Sequence, residues 1–277
     1  MIVKYSLLTL LLFGFSAVQA DNGAPAPDAD KPGAADTTAP KTDTPVEKNV
    51  VIEGDNITFP GLTINRKTRE VRMDASVCLE SGILEYLVCL PDTFEHEAIF
   101  VTTVKPEILH TALLLAGLKP TPMPPGLEQL WWERALKVAD SRVRVEVEWD
   151  INGRTERTNI ISLIRNRQGG DEDMWGGEAA AAEEEPEEVT DSWVFTGSFL
   201  HTQKNGERVY AANFGGVVIG IWPNPSAVIQ YGKESKNPYH GPGFGMEVND
   251  EFVPKKGTPV KLVFSKYVPP RNEVLEK

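Results

Sequence analysis

Cysteine and histidine are scarce in this chain, two and four among 277 residues. An iron–sulfur cluster held by four thiolates is excluded on that count, and no cofactor is expected. No HExxH pair is present, so the helical zinc grip of metalloproteases is missing too. Basic residues are in short supply. Lys and Arg number 28 against 40 Asp and Glu, a formal net charge of −12. Affinity for phosphate comes from Lys and Arg, so nucleic acid and anionic lipid are excluded as partners. After residue 20 no apolar run is long enough to cross a bilayer. The densest, LLLAGL, has the length of a core helix, so no transmembrane helix is expected in the mature chain.

What is present begins with an address. MIVKYSLLTLLLFGFSAVQA carries one cation at Lys4, an apolar stretch from Leu7 to Phe15, and small residues at Val18 and Ala20. That is the pattern of a signal peptide cut near Ala20. No cysteine lies near the cut to take a lipid. The expected location is outside the cytoplasm, periplasmic or extracellular. Residues 21–48 are Pro, Ala, Asp and Thr with almost nothing large and apolar, a linker that cannot offset its ordering entropy.

The structured part is expected over residues 50–268, with 269–277 as a tail. LTINRKTREVRMDASVCL alternates about the polar turn Asn65-Arg66-Lys67-Thr68, which predicts a hairpin with Val71, Met73, Ala75, Val77 and Leu79 on one face. ILEYLVCL and AIFVTTV read as further apolar segments. Pro106 at a first helical position, Glu107 in the first turn, and Gly117 with Pro120 at the end predict a helix over about 105–117. VRVEVEWD alternates cleanly into Asn152-Gly153, a strong hairpin turn. Residues 168–190 interrupt the pattern with nine acids and no base, an acidic disordered insert. WVFTGSF, RVYAAN, VVIGIW, SAVIQY and TPVKLVF supply more short strands. Many strands and one convincing helix predict an α+β class, a mainly antiparallel sheet with the helix packed on it.

Taken in order, GLTINRKTREVRMDASVCL, GILEYLVCL, EHEAIFVTTVKPEILHTALLLAGLKP, VRVEVEW, WVFTGSF and GTPVKLVF resemble the YdjY-domain family of exported bacterial proteins. The resemblance covers roughly 50–268 without the insert. It implies a shared fold and no particular reaction.

Candidate site residues gather around EHEAIF. His96 with Glu97 is a general base with its orienting carboxylate, or with His110 a metal-binding set. Adjacent strand residues face opposite ways, which works against His96 and Glu97 gripping one ion. Cys89, with Glu85 nearby in sequence, would be a nucleophile if His96 approached it. His110, on the polar strip of the helix, is expected to face solvent. A tight turn at Glu80-Ser81-Gly82 would set Cys78 and Cys89 about 16 Å apart on opposite faces, too far for a disulfide. Two buried thiols are therefore expected; a helical ILEYLVCL would remove that objection. The functional expectation is a non-catalytic envelope module that binds a partner protein or a small ligand. The alternative is a metal- or thiol-dependent enzyme centred on His96 and Glu97 with Cys89.

Overall fold

Two-residue alternation decides the long strands. In the computed structural model, which describes residues 50–124, 131, 134–167, 189–233, 239 and 245–269, Val143, Val145 and Val147 are fully buried while Arg144 and Glu146 alternate with them toward solvent. The chain runs through β1 (Val51–Glu53), β2 (Asn56–Phe59), β3 (Leu62–Asn65), β4 (Glu70–Val77), β5 (Ile83–Leu84), β6 (Tyr86–Cys89) and β7 (Ala98–Val101). Helix α1 (Pro106–Leu115) follows, then β8 (Arg142–Ile151), β9 (Arg154–Asn159), β10 (Ile164–Asn166), β11 (Trp193–Phe195), β12 (Leu200–Thr202) and β13 (Arg208–Tyr210). A short helix α2 (Ala211–Gly215) leads into β14 (Val217–Gly220), β15 (Ile229–Tyr231), β16 (Met246–Val248) and β17 (Pro259–Lys266).

The pairing order β4-β17-β8-β11-β15-β14-β6-β7 ends where it began, because β7 also pairs with β4. Eight strands thus close into a barrel. This corrects the α+β expectation: the chain is mostly β, with about 14% helix, and the sheet is not an open one with a helix laid on it. Alternation within a segment predicts a strand and which face is buried, but it is blind to closure. Closure is made here by β7 returning to β4 through Ser76↔Val101 and Val77↔Phe100, continued by the Cys78 and Leu79 amides donating to the Ile99 carbonyl, a shorter seam than the six residue pairs that join β4 to β17.

Register carries the apolar faces into the interior. Phe264 lies between Val71 and Val145, Leu262 between Met73 and Val147, and Trp193 between Val143 and Tyr231. All are at most 2% exposed. An eight-stranded barrel has an interior about wide enough for such side chains to fill. Their alternates, Arg72, Glu146 and Glu148, form an ion-pair lattice outside with Glu70 and Arg157.

The β3–β4 hairpin and the β8–β9 hairpin form where alternation predicts them. Asn152 and Gly153 take φ of 51° and 80°, the left-handed pair such a turn demands. The predicted helix is present as α1 with Pro106 at its start, and it stops before Gly117, whose φ is 92°. Its Ile108, Leu109, Ala112 and Leu113 join the main core. Strands β1, β2 and β3 extend the sheet beyond β4, while β10, β16 and β5 form a separate three-stranded sheet. All described residues belong to one compact unit. The leader, the 21–48 linker, residues 168–188 of the acidic insert and residues 270–277 of the tail lie outside the described residues. Among the described residues no helix is long and apolar enough to cross a membrane.

Candidate functional site

Strands β6 and β7 run parallel, with Tyr86 opposite Ala98. Parallel register brings the residues just before each strand, Glu85 and Glu97, to the same end of the barrel. The backbone fastens them there: the amides of Glu85 and Tyr86 both donate to the Glu97 carbonyl, at 3.2 and 3.1 Å. The connecting loop is braced internally. The Glu95 carboxylate accepts from the Asp92 and Thr93 amides at 2.6 and 3.0 Å, and Thr93 Oγ1 donates to the Leu90 carbonyl at 2.6 Å. Asp92 sits at φ 62°, an uncommon position for a residue with a β-carbon. Gly216, after α2, lets that loop approach, since a β-carbon there would lie 2.5 Å from Cγ2 of Thr93.

The result is two carboxylates set side by side at one end of the barrel. Glu85 holds its proton above the usual range, first because it is partly buried and then because Glu97 is charged beside it; the Tyr86 hydroxyl and His96 pull the other way. The Tyr86 phenol is pushed up by burial first, then by Glu85 and the Glu97 charge, while Asn224 pulls the other way. Tyr239 donates its hydroxyl to Glu97 Oε1. Asn224 is fixed from below by the fully buried Gln230, whose Oε1 accepts the Asn224 amide at 3.1 Å and whose Nε2 donates to the carbonyls of Ile221 and Trp222. Two carboxylates and two phenols thus gather above the Asn224–Gln230 floor.

Of the residues singled out in sequence, Glu85 and Glu97 converge. His96 stands at their edge, its Nε2 3.9 Å from Glu97 Oε1, with 72% of its side chain exposed. Cys89 is fully buried in a cluster with Tyr86, Ala98 and Val217, and its thiol is pulled below the usual range by Cys78 first, against the opposing effect of burial. His110 is elsewhere. It lies half buried, edge-on to Phe195 and Tyr210 with ring centroids at 5.1 and 5.6 Å, and its Nδ1 is 2.8 Å from the Tyr210 hydroxyl. The expected solvent-facing position is corrected: β13 supplies a neighbour that a helical wheel cannot show. Among the described residues no group of three or more His, Cys, Asp or Glu is placed to hold a metal ion.

The cysteine geometry is also corrected. After Gly82 the chain leaves β4 rather than folding back on it, and β5 pairs with β16. Cys78 and Cys89 therefore flank β7 from opposite sides, both buried and free as expected, with Cys78 Sγ donating to the Ala98 carbonyl at 3.0 Å. Sequence reasoning did not select Tyr86, Asn224 or Tyr239. A phenol inside the apolar run ILEYLVCL was the available signal for Tyr86. Tyr239 was passed over in YHGPGFG, of which residues 240–244 lie outside the described residues.

Two other surface features stand apart. A cavity of about 480 Å³ is lined by Arg72, Asp74, Glu148, Trp149 and Lys261, whose charges already pair with one another or with neighbours. Phe214 of α2 is 80% exposed and edges a second hollow beside the β12–β13 hairpin.

A closed β-barrel domain with an acidic, phenol-flanked cluster at the start of two parallel strands is the class that these features define. The YdjY domain model matches residues 62–265, and the chain belongs to the YdjY-domain family. No curated protein and no solved structure matches it.

Proposed function

We propose that this is a non-catalytic binding domain, exported to the periplasm or cell exterior, that takes a cationic group of a partner protein or small ligand between Glu85 and Glu97. The observation that carries the reading is the parallel β6–β7 register that sets Glu85 beside Glu97, where burial and the Glu97 charge raise the proton affinity of Glu85. Like charges held together are relieved when an ammonium or guanidinium enters, and the phenols of Tyr86 and Tyr239 offer it further acceptors and ring faces. Export is supported by the leader-like first twenty residues, and would be checked by whether the secreted chain begins at Asp21.

Calorimetric titration tests the binding. The probes are short peptides with a single lysine or arginine, and an acetyl-lysine peptide serves as the uncharged control. Charged peptides are expected to bind saturably, and Glu97→Gln to weaken them about tenfold or more, as for loss of a charged hydrogen bond. Acidification should weaken binding from a higher pH than an ordinary glutamate would impose, because Glu85 takes up its proton early. Equal heats from the charged and acetylated peptides would sink the idea. A second reading rests on the same property of Glu85: a carboxyl that keeps its proton can serve as a general acid. A hydrolytic activity abolished by Glu85→Gln would carry that reading instead.

A further inference from the structure

The acidic pair stands at one end of the barrel, and the opposite end carries a projecting hairpin. From Glu85 the chain runs through β6 to Leu90, whose amide donates to the Gly216 carbonyl at 2.8 Å, just past α2. That length of strand spans roughly 16 Å. The β12–β13 hairpin leads directly into α2, so it is rooted at the Gly216 end. Its turn is locked from within. The Gln203 amide donates to the Glu207 carbonyl at 2.8 Å, and the Gly206 amide to the Gln203 carbonyl at 2.9 Å. Asn205 engages the carboxylate of the turn, its Nδ2 donating to Glu207 Oε2 at 3.3 Å and its Oδ1 accepting the Glu207 amide at 2.9 Å. Lys204, at the tip, is exposed and forms no ion pair among the described residues. Lys119, Lys261, Lys266, Arg72 and Arg157, by contrast, each already hold a carboxylate. Beside the tip lies a hollow of about 490 Å³ edged by Phe214, and Phe199 and Leu200 are exposed nearby in the chain. Apolar surface around a preorganised cation gains by being covered.

We propose that the cationic group taken between Glu85 and Glu97 is Lys204 of a second copy of this chain, so that copies join head to tail. The inference rests on the binding reading of the Glu85–Glu97 site and names its occupant. The match is first one of charge: an unpaired ammonium on a rigid hairpin meets two adjacent carboxylates, in a chain whose net charge of −12 otherwise keeps copies apart. Aromatic rings accompany both halves, Phe214 beside the lysine and the exposed Tyr239 beside Glu97. Because lysine and acids lie at opposite ends, one contact leaves a free hairpin on one copy and a free acidic pair on the other. The contact is heterologous, and further copies add in the same sense, as a ring or a filament.

Sedimentation equilibrium of the secreted chain, from about 1 µM to about 1 mM, spans the affinities of so small a contact. The weight-average mass is expected to rise with concentration past that of two copies. Lys204→Glu and Glu97→Gln should each weaken association about tenfold or more, as for loss of a charged hydrogen bond. Mixed one to one, the two variants should associate again but halt at two copies, since the first retains the acids and the second the lysine. Titration with the single-lysine peptide separates this inference from the reading beneath it, and Lys204→Glu should bind that peptide as the parent does. A parent that stays monomeric throughout, yet binds the peptide, overturns the self-contact and leaves the binding reading standing. Failure of both measurements removes both. Association that survives Lys204→Glu, that stops at two copies in the parent, or that the mixture does not recover would equally overturn the proposal.

Discussion

His110 shows how one side chain is set by neighbours distant in sequence. Tyr210 gives its hydroxyl hydrogen to the Gly197 carbonyl at 3.0 Å, so His110 Nδ1 is the donor in the 2.8 Å contact with Tyr210. Burial is the main cause that holds the ring's proton affinity below that of an exposed histidine, near 6.5. Between the folded value and 6.5, the unfolded chain binds a proton that the folded chain refuses. The stabilisation is therefore complete above 6.5 and is lost as pH falls through that window. His110→Gln keeps an N–H for Tyr210 but cannot titrate. Melting curves recorded between about pH 5 and 8 should show a shallower pH dependence for this variant than for the parent. An unchanged slope would place the titration on another group.

At the scale of elements, the barrel depends on one buried layer in which β17 is central. Leu262 is fully enclosed between Met73 and Val147. Leu262→Ala should cost about 2–5 kcal/mol, the range for a leucine removed from a tight core. Urea unfolding would measure it, with the denaturant slope unchanged if the barrel stays closed. The strands themselves were legible in the sequence because their signals are local. Val143, Val145 and Val147 alternate, Asn152-Gly153 specifies the turn, and Pro106 and Gly117 bracket α1. The parallel β6–β7 pair, the return of β7 to β4, and the departure of β5 to β16 were not legible, because alternation within a segment names neither a strand's partner nor its direction. The candidate site shared that fate. Glu85 and Glu97 could be named from sequence, but only parallel register makes them neighbours, and Tyr239 reaches Glu97 from beyond the acidic insert.

At the scale of the whole molecule, the last strand fills the middle of the sheet. β17 lies between β4 and β8 and pairs with both along most of its length. A chain ending at Lys256 should lack a cooperative melting transition and near-ultraviolet dichroism, since β4 and β8 would face each other across an empty place. A sharp transition in that truncated chain would refute the central role of β17. Pairings this distant in sequence belong to folds that form slowly, on the order of milliseconds to seconds.

That placement has a consequence for biosynthesis. While the ribosome still encloses the C-terminal segment, the emerging polypeptide cannot finish its fold, however long it waits. It stays threadable through a narrow pore until β17 has emerged. A nascent chain arrested just short of β17 would carry two bare strand edges, the kind of surface that holdase chaperones cover and proteases find.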